Sequence, residues 1–540
     1  MLGQMMDRQL MVCSLMEYAA RNHAGQEIVT QTVEGPIHRY TYAESLTRIK
    51  KLANALKRLG VQRGDRIATI AWNTHRHLEL YYAIAGVGAI CHTINPRLGP
   101  EQVVFVTNHA ENKLMFFDTT FTPLVAALKG NMPTVEKFVA MTDADHKPDF
   151  PGDDLLTYED LLADESAEHE WDSFDENTAC GLCYTSGTTG DPKGVLYSHR
   201  SNMLMTYASC SPACVGMTAE DVILPIVPMF HVNAWGVPYM APMAGAKLVL
   251  PGPGMDGASL HRLMEEEKVT LSLGVPTVWL GLLQYMEEAN KTLTHLKATV
   301  TGGAALSEFI LRAFEEKHGV AVAQGWGMTE MSPMGTLNKP GPKTTDLSDP
   351  NVVAQRLKQG PAVPGVEMRI VDEEGGVLPW DGEAVGRLQV RGPWIVGSYF
   401  RYEGETLTPD GWFDTGDVAN IDAKGVMQIT DRSKDVIKSG GEWISSIEIE
   451  NAAMSHPAVA HAAVIAASHP RWQERPLLIV VLAEGAAVTE DEVRAFVGER
   501  VPKIAAPDAV EFIDAMPLGA TGKVLKTELR KKFADYALAG

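Results

Sequence analysis

A chain of 540 residues with a formal net charge of −21 is too acidic to favour nucleic acid as a partner and too long for a single compact core. Its hydrophobic content of 45% is that of a globular protein that divides into domains. Six cysteines make no disulfide framework at this length, and no apolar run is long enough for a membrane span. Met1–Met16 is broken by Asp7 and Arg8 and lacks the basic-then-apolar order of a signal peptide, so the expected location is the cytoplasm.

In chain order, Tyr42–Leu59 and His75–Val87 carry helical periodicity, with a strand at Arg66–Trp72 between them and a turn at Asn95–Leu98 after them. Strands at Lys113–Phe117 and Val135–Met141 continue the alternation, which predicts a largely parallel sheet covered by helices on both faces. The acidic stretch Asp143–Asp175 is expected to be a surface loop. Ala179–Tyr184 predicts a buried strand. Its Cys180 and Cys183 lack the second pair that a zinc site needs and are expected to be reduced core residues.

Immediately after that strand comes Thr185-Ser186-Gly187-Thr188-Thr189-Gly190-Asp191-Pro192-Lys193-Gly194. The glycines allow close backbone approach, the hydroxyls and successive N–H groups suit an anion nest, and Lys193 adds a mobile positive charge. This is a loop for a polyphosphate. It is not Walker A, because the Gly187–Gly190 spacing and Lys193-Gly194-Val195 break that pattern. In Leu224–Gly236 two prolines rule out a regular helix through the first half, while His231 and Trp235 lie four apart and face one cavity if a helix begins there.

The alternation resumes with strands at Lys247–Leu250, Val269–Leu273 and Lys297–Thr301 and helices at Ser259–Lys268 and Val278–Ala289. Gly302-Gly303-Ala304-Ala305 then leaves room for a flat ligand at the carboxyl end of a parallel strand, and Ser307 caps the next helix. The strand Val320–Gln324 runs into Gly325-Trp326-Gly327-Met328-Thr329-Glu330. There Trp326 offers a stacking face for adenine, Thr329 a hydroxyl for a phosphate and Glu330 a hard oxygen ligand for Mg²⁺. After Gly365, short strands at Glu367–Val371, Gly386–Val390 and Ile395–Phe400 predict a small β subdomain. Asp431–Asp435 reads as a charged linker. The last unit alternates again, with helices at Ser445–Ser455 and Thr489–Arg500 and strands at Ala458–Ala466, Leu477–Ala483 and Ala509–Ile513. In Pro517–Lys523, Lys523 stands apart from the basic helix that follows.

Thr185–Gly194 and Gln324–Glu330 resemble, closely and in order, two signatures of the adenylate-forming superfamily, which includes acyl-CoA synthetases, adenylation domains of peptide synthetases and beetle luciferases. The resemblance extends over nearly the whole chain, with Trp326 where tyrosine is more usual. It implies an α/β fold: a large N-terminal domain of layered, mostly parallel sheets with helices and a small β subdomain, hinged to a small α+β C-terminal domain. The implied boundaries are 1–431 for the large domain, 432–435 for the hinge and 436–540 for the mobile domain.

The resemblance also implies ATP, Mg²⁺ and coenzyme A as co-substrate. It makes Lys523 the catalytic lysine, acting with Glu330, Thr185 and His231, and gives the metal to Glu330 and Thr185. The nucleotide falls to Thr185, Ser186, Gly187, Thr188, Thr189, Gly190 and Lys193, to Gly303, Ala304 and Ala305, and to Gly325, Trp326, Gly327, Met328 and Thr329. Asp417 takes the ribose hydroxyls and Arg432 the ribose and phosphate. His231, Trp235, Gly302 and Gly327 line the acid pocket. Lys434 is the hinge position, with Asp435, Lys438, Gly440, Gly441, Glu442 and Trp443 on the CoA side.

The implied reaction is carboxylate plus ATP to acyl-AMP and pyrophosphate, then acyl-AMP plus CoA to acyl-CoA and AMP. Within the family the chain is similar to bacterial short- and medium-chain ligases, in particular those acting on 3-methylmercaptopropionate in dimethylsulfoniopropionate breakdown. The alternatives are a general medium-chain fatty acyl-CoA ligase and an adenylating enzyme that passes its acyl group to a carrier protein or to oxygen. A silent nucleotide-binding scaffold is disfavoured by intact Lys193, Glu330, Asp417 and Lys523. Arg471 and Trp472 are candidates for the CoA phosphates by position alone. The sequence leaves the oligomeric state open, a homodimer included.

Overall fold

The computed structural model describes residues 1, 3–152, 155–185, 192–341, 343–439, 442–483, 485–519, 524–534, 536 and 538. Ser186–Gly190 of the phosphate loop, Gly440, Gly441 and Lys523 therefore lie outside the described residues.

Among the described residues the chain forms four sheets. An eight-stranded sheet runs in the order 334–338, 321–327, 298–301, 271–274, 222–225, 247–250, 27–31 and 37–41, parallel inside with one antiparallel strand at each edge. A seven-stranded sheet runs 156–157, 137–140, 112–117, 66–70, 90–93, 179–184 and 194–198, also parallel except at its last edge. Parallel strands need helical crossovers, and these cover the sheet faces as the alternation predicts.

The helix His75–Gly86 touches strands of both large sheets, and every one of its residues is buried. Its charged residues are buried because they are paired, Arg76 with Glu34 at 2.7 Å and Glu79 with Arg48 at 2.7 Å. Its tyrosines reach polar atoms across the interior: Tyr81 Oη donates to the Met229 carbonyl at 2.5 Å and Tyr82 Oη to the Pro238 carbonyl at 2.6 Å. Helix starts follow sequence chemistry. Thr41 with Glu44, and Thr489 with Glu492, close reciprocal capping boxes, and Ser307 accepts from Ile310 N–H at 3.3 Å. Cys180 and Cys183 are buried and unbridged.

Beyond residue 365 an antiparallel sheet pairs Glu367–Val371, Gly386–Arg391, Phe413–Ile421 and Met427–Arg432 in sequence order. A five-stranded sheet follows, built from Ile437–Ser439, Glu442–Ile444, Val459–His469, Gln473–Leu482 and Ala509–Phe512. Helices Ser446–Met454 and Glu490–Gly498 pack against its strands, and their core is separate from that of the large sheets.

Two expectations are corrected. The segment Asp143–Asp175 is not simply a surface loop: it holds an edge strand, Leu156–Thr157, and a helix, Tyr158–Ala163, with Tyr158, Leu161 and Leu162 buried. Its acidity serves pairing as well as solvation, since Glu159 meets Arg48 at 3.0 Å and Arg76 at 2.8 Å. Ile395–Phe400 is not a strand. It holds a single antiparallel bridge, Gly194 to Phe400, and its apolar character reflects burial of Val396, whose N–H donates to the Glu330 carbonyl at 2.7 Å.

Candidate active site

Three strand ends are linked by contacts: Lys193 and Glu330 through Tyr399, and Gly302 against Gly325. The first is the Thr185–Gly194 loop, expected to hold phosphate, which leaves the strand Ala179–Tyr184. Its neck is closed by Thr185 N–H donating to the Lys193 carbonyl at 2.9 Å and Lys193 N–H donating to Thr185 Oγ1 at 3.2 Å. Lys193 is exposed, with Nζ 4.9 Å from the ring centre of Tyr399 and 4.4 Å from that of Tyr402. Phe400 N–H donates to the Gly194 carbonyl at 2.8 Å, which fastens the Tyr399–Tyr402 segment to the loop.

The second strand end carries Trp326–Glu330, which leave Ala321–Gly327. Gly327 cannot be larger, because a Cβ there would run into the Pro333 carbonyl. Glu330 is 7% exposed and accepts at Oε1 from Tyr399 Oη at 2.8 Å. Burial pushes its carboxyl above the usual carboxylate range. The Tyr399 hydroxyl and Arg432 pull it back, and Asp417 adds to the rise. Thr329 is buried, and its carbonyl accepts from Tyr197 Oη at 2.7 Å.

Trp326, expected to offer a stacking face, is also anchored through its ring N–H. It is 9% exposed, lies against Gly335, and donates its indole N–H to Asp417 Oδ2 at 3.0 Å. Asp417 is itself buried and sits in the strand Phe413–Ile421 directly opposite Arg432, whose Nε lies 3.4 Å from Oδ1. The segments around residues 326, 417 and 432 thus meet at one carboxylate, held by a ring N–H and a guanidinium.

The third strand end is Gly302–Ala305. Gly303 takes φ +78, and Gly303 and Ala304 are exposed, as an open cleft wall requires. A Cβ on Gly302 would come 2.8 Å from the Gly325 carbonyl and 3.1 Å from the Trp235 ring, so Gly302 packs against both.

His231 and Trp235 do not sit on an α-helical turn. Residues 232–236 all have positive φ (46, 54, 47, 54 and 83), a left-handed turn, and the right-handed helix begins only at Val237. Each non-glycine residue in that conformation costs about 1–2 kcal/mol, so the surroundings must impose it. Asn233 is gripped there by Tyr81 Oη at 3.1 Å, and Met229 N–H donates to Asn73 Oδ1 at 2.6 Å just upstream. His231 borders a small cavity with His92, Thr93, Asn95, Tyr184 and Phe230, whereas Trp235 rests on Gly302.

Asp431–Asp435 is more than a solvated linker. Asp431 and Arg432 end a strand, and buried Asp431 accepts from Ser446 N–H at 2.6 Å. Asp435 pairs with Arg530 of the basic helix, and the same guanidinium donates to the Lys434 carbonyl at 3.1 Å. Lys438 Nζ lies 2.7 Å from Glu373, and the backbones of Lys438 and Ser439 pair with those of Trp443 and Glu442. Sequence reasoning missed Tyr399, Tyr402, Asp431 and Arg530. No motif spacing marks the first two, and a charge run hides the third.

Residues 16–400 match the family described as AMP-binding enzyme, and residues 448–523 match its C-terminal domain. The chain is 50% identical to a 3-methylmercaptopropionyl-CoA ligase of Ruegeria lacuscaerulensis over 100% of both chains. It is 48% identical to a medium-chain-fatty-acid–CoA ligase of Ectopseudomonas oleovorans over 100% of this chain and 98% of that one. Its backbone superposes on the crystal structure of an anthranilate CoA ligase in complex with anthranoyl-AMP with a TM-score of 0.86 at 25% identity, covering 97% and 98% of the two chains. With a match over most of its length and a cleft built from its own signature residues, this chain belongs to the AMP-binding enzyme family.

Proposed function

We propose that the chain is an ATP-dependent acid–CoA ligase whose acid is 3-methylmercaptopropionate. The observation that supports the reaction is the set of contacts that links Lys193 through Tyr399 to Glu330, and Trp326 and Arg432 through Asp417. The acid rests on the relative that is 50% identical over the full length. A second reading, a medium-chain fatty acid, is favoured by the relative at 48%.

In the first half-reaction a carboxylate oxygen attacks the α-phosphorus of ATP, forming the acyl–phosphate bond and breaking the bond to the β-phosphate, so pyrophosphate leaves. Charge spreads over phosphoryl oxygens, and positioned cations stabilise it without a nucleophilic side chain. Lys193 and the N–H groups of the loop take the β- and γ-phosphates, Arg432 the phosphate and ribose, and Asp417 the ribose diol. Lys523 completes the adenylation site. Glu330 and Thr185 offer a carboxylate and a hydroxyl, the hard oxygen donors that suit magnesium. Bound there, the ion would neutralise phosphate charge.

In the second half-reaction the CoA thiolate attacks the acyl carbon, the thioester forms and AMP leaves with the bonding pair. Residues 1–431 form the large domain, 432–435 the hinge and 436–540 the mobile domain. Rotation at Lys434 exchanges Lys523 for Gly440, Gly441, Glu442 and Trp443. His231, Trp235, Gly302 and Gly327 are assigned to the acid; the Trp235 ring lies against Gly302, a contact consistent with a short pocket.

The test is CoA-dependent AMP formation across acetate, 3-methylmercaptopropionate, hexanoate, decanoate and benzoate. A sharp maximum at 3-methylmercaptopropionate supports the first reading, and a broad maximum at about six to ten carbons the second. AMP formation indifferent to CoA overturns both.

A further inference from the structure

We infer that Tyr399 is a positioning residue that holds the metal-ligand carboxylate of Glu330 and the phosphate-loop lysine Lys193 in place and apart. This rests on the reaction proposed above.

A flexible lysine beside a buried carboxylate ordinarily collapses onto it as an ion pair, and that pair would quench both groups before a nucleotide arrived. Among the described residues no ion pair joins Lys193 to Glu330. Tyr399 contacts both. Its hydroxyl donates to Glu330 Oε1 at 2.8 Å, which fixes the carboxylate plane and occupies one of its two oxygens. Its ring, 5.8 Å from that of Tyr402 in an edge-to-face pair, offers the ammonium of Lys193 an aromatic resting place, with Tyr402 supplying a second. Cation–π contact holds the charge without consuming the carboxylate.

The segment that carries both rings is tied to both partners by backbone: Phe400 N–H to the Gly194 carbonyl at 2.8 Å and Val396 N–H to the Glu330 carbonyl at 2.7 Å. A shift of Tyr399 therefore moves the metal side and the phosphate side together. The two side chains divide the labour. Tyr399 serves Glu330 through its hydroxyl and Lys193 through its ring, while Tyr402 serves Lys193 alone.

Two variants separate these roles. Tyr399→Phe keeps the ring and deletes the hydroxyl, and Tyr402→Leu deletes a ring and leaves the Glu330 hydrogen bond. The probe is Mn²⁺ binding to enzyme saturated with α,β-methylene-ATP, read by electron paramagnetic resonance, which needs neither acid nor turnover. Tyr399→Phe is expected to weaken Mn²⁺ binding about tenfold, the worth of one hydrogen bond to a charged group, and to raise the Mg²⁺ needed for half-maximal pyrophosphate release without changing KM for the acid. Tyr402→Leu is expected to raise KM for ATP severalfold and leave Mn²⁺ affinity unchanged. Unchanged Mn²⁺ affinity in Tyr399→Phe, or the same profile in both variants, overturns the assignment. Wild-type enzyme that releases no pyrophosphate with any acid would defeat the ligase reading instead, and the Mn²⁺ measurement would still decide the role of Tyr399.

Discussion

Replacing Trp326 by Phe tests the join between the two halves of the site. Phe keeps an aromatic face but deletes the indole N–H that reaches Asp417 Oδ2 at 3.0 Å. A hydrogen bond to a charged group contributes about 1.5–3 kcal/mol. Asp417 keeps Arg432 Nε at 3.4 Å but is only 5% exposed, so water replaces the lost donor poorly. We therefore expect about 2 kcal/mol, which in nucleotide binding is about a thirtyfold rise in KM for ATP. On the proposed role of Asp417, its contact with the ribose would be made equally in ground and transition states, so kcat should change little.

The assay is AMP formation at saturating acid and CoA for Trp326→Phe, Asp417→Asn and the double variant. Residues in one hydrogen-bonded unit couple, and about 1–2 kcal/mol of interaction energy is expected between these two. Strictly additive effects, or an unchanged KM for ATP in Trp326→Phe, would refute the claim that the ring N–H orients the ribose carboxylate.

Three further outcomes are expected. Trp235→Leu should lengthen the acid pocket and move the preferred acid by about two carbons, with longer acids gaining roughly tenfold in kcat/KM for each methylene accommodated; an unchanged chain-length profile in the acid panel would remove Trp235 from the pocket. Lys434→Pro should leave acid-dependent pyrophosphate release intact and slow thioester formation at least tenfold; equal effects on both half-reactions would contradict a hinge there. Stability should fall in acid. Burial depresses His77, His92 and His199 from 6.5 to about 4, so the unfolded chain binds more protons below 6.5. Each contributes stability that is present above pH 6.5 and lost as pH falls toward 4, up to about 3 kcal/mol apiece. Urea midpoints across that window should therefore drop, and His199→Gln should flatten part of the slope; midpoints independent of pH would contradict the buried neutral histidines.

Most of the sheet alternation was legible because parallel strands and their crossover helices repeat a pattern set by burial. Thr185–Gly194 and Gln324–Glu330 were likewise marked by unusual runs of residue types, whereas Asp417 and Arg432 were singled out by resemblance alone and their pairing at 3.4 Å was not foreseen. What remained hidden was set by tertiary context. Nothing in Val232-Asn233-Ala234-Trp235 announces a left-handed turn, since no glycine precedes Gly236; contacts from Tyr81 hold Asn233 there. Asp431 reads as solvated charge until Ser446 N–H is found against it. Tyr399 carries no motif, and its importance comes from two partners that lie 69 and 206 residues away in sequence.

Acyl-adenylate must form before CoA reacts, and a single-turnover experiment separates the two steps. Enzyme in excess over 3-methylmercaptopropionate, with ATP and Mg²⁺ but no CoA, should release one equivalent of pyrophosphate and hold an acyl-adenylate. Adding CoA should then convert it to thioester and AMP without further ATP. Pyrophosphate that appears only after CoA is added would contradict the account.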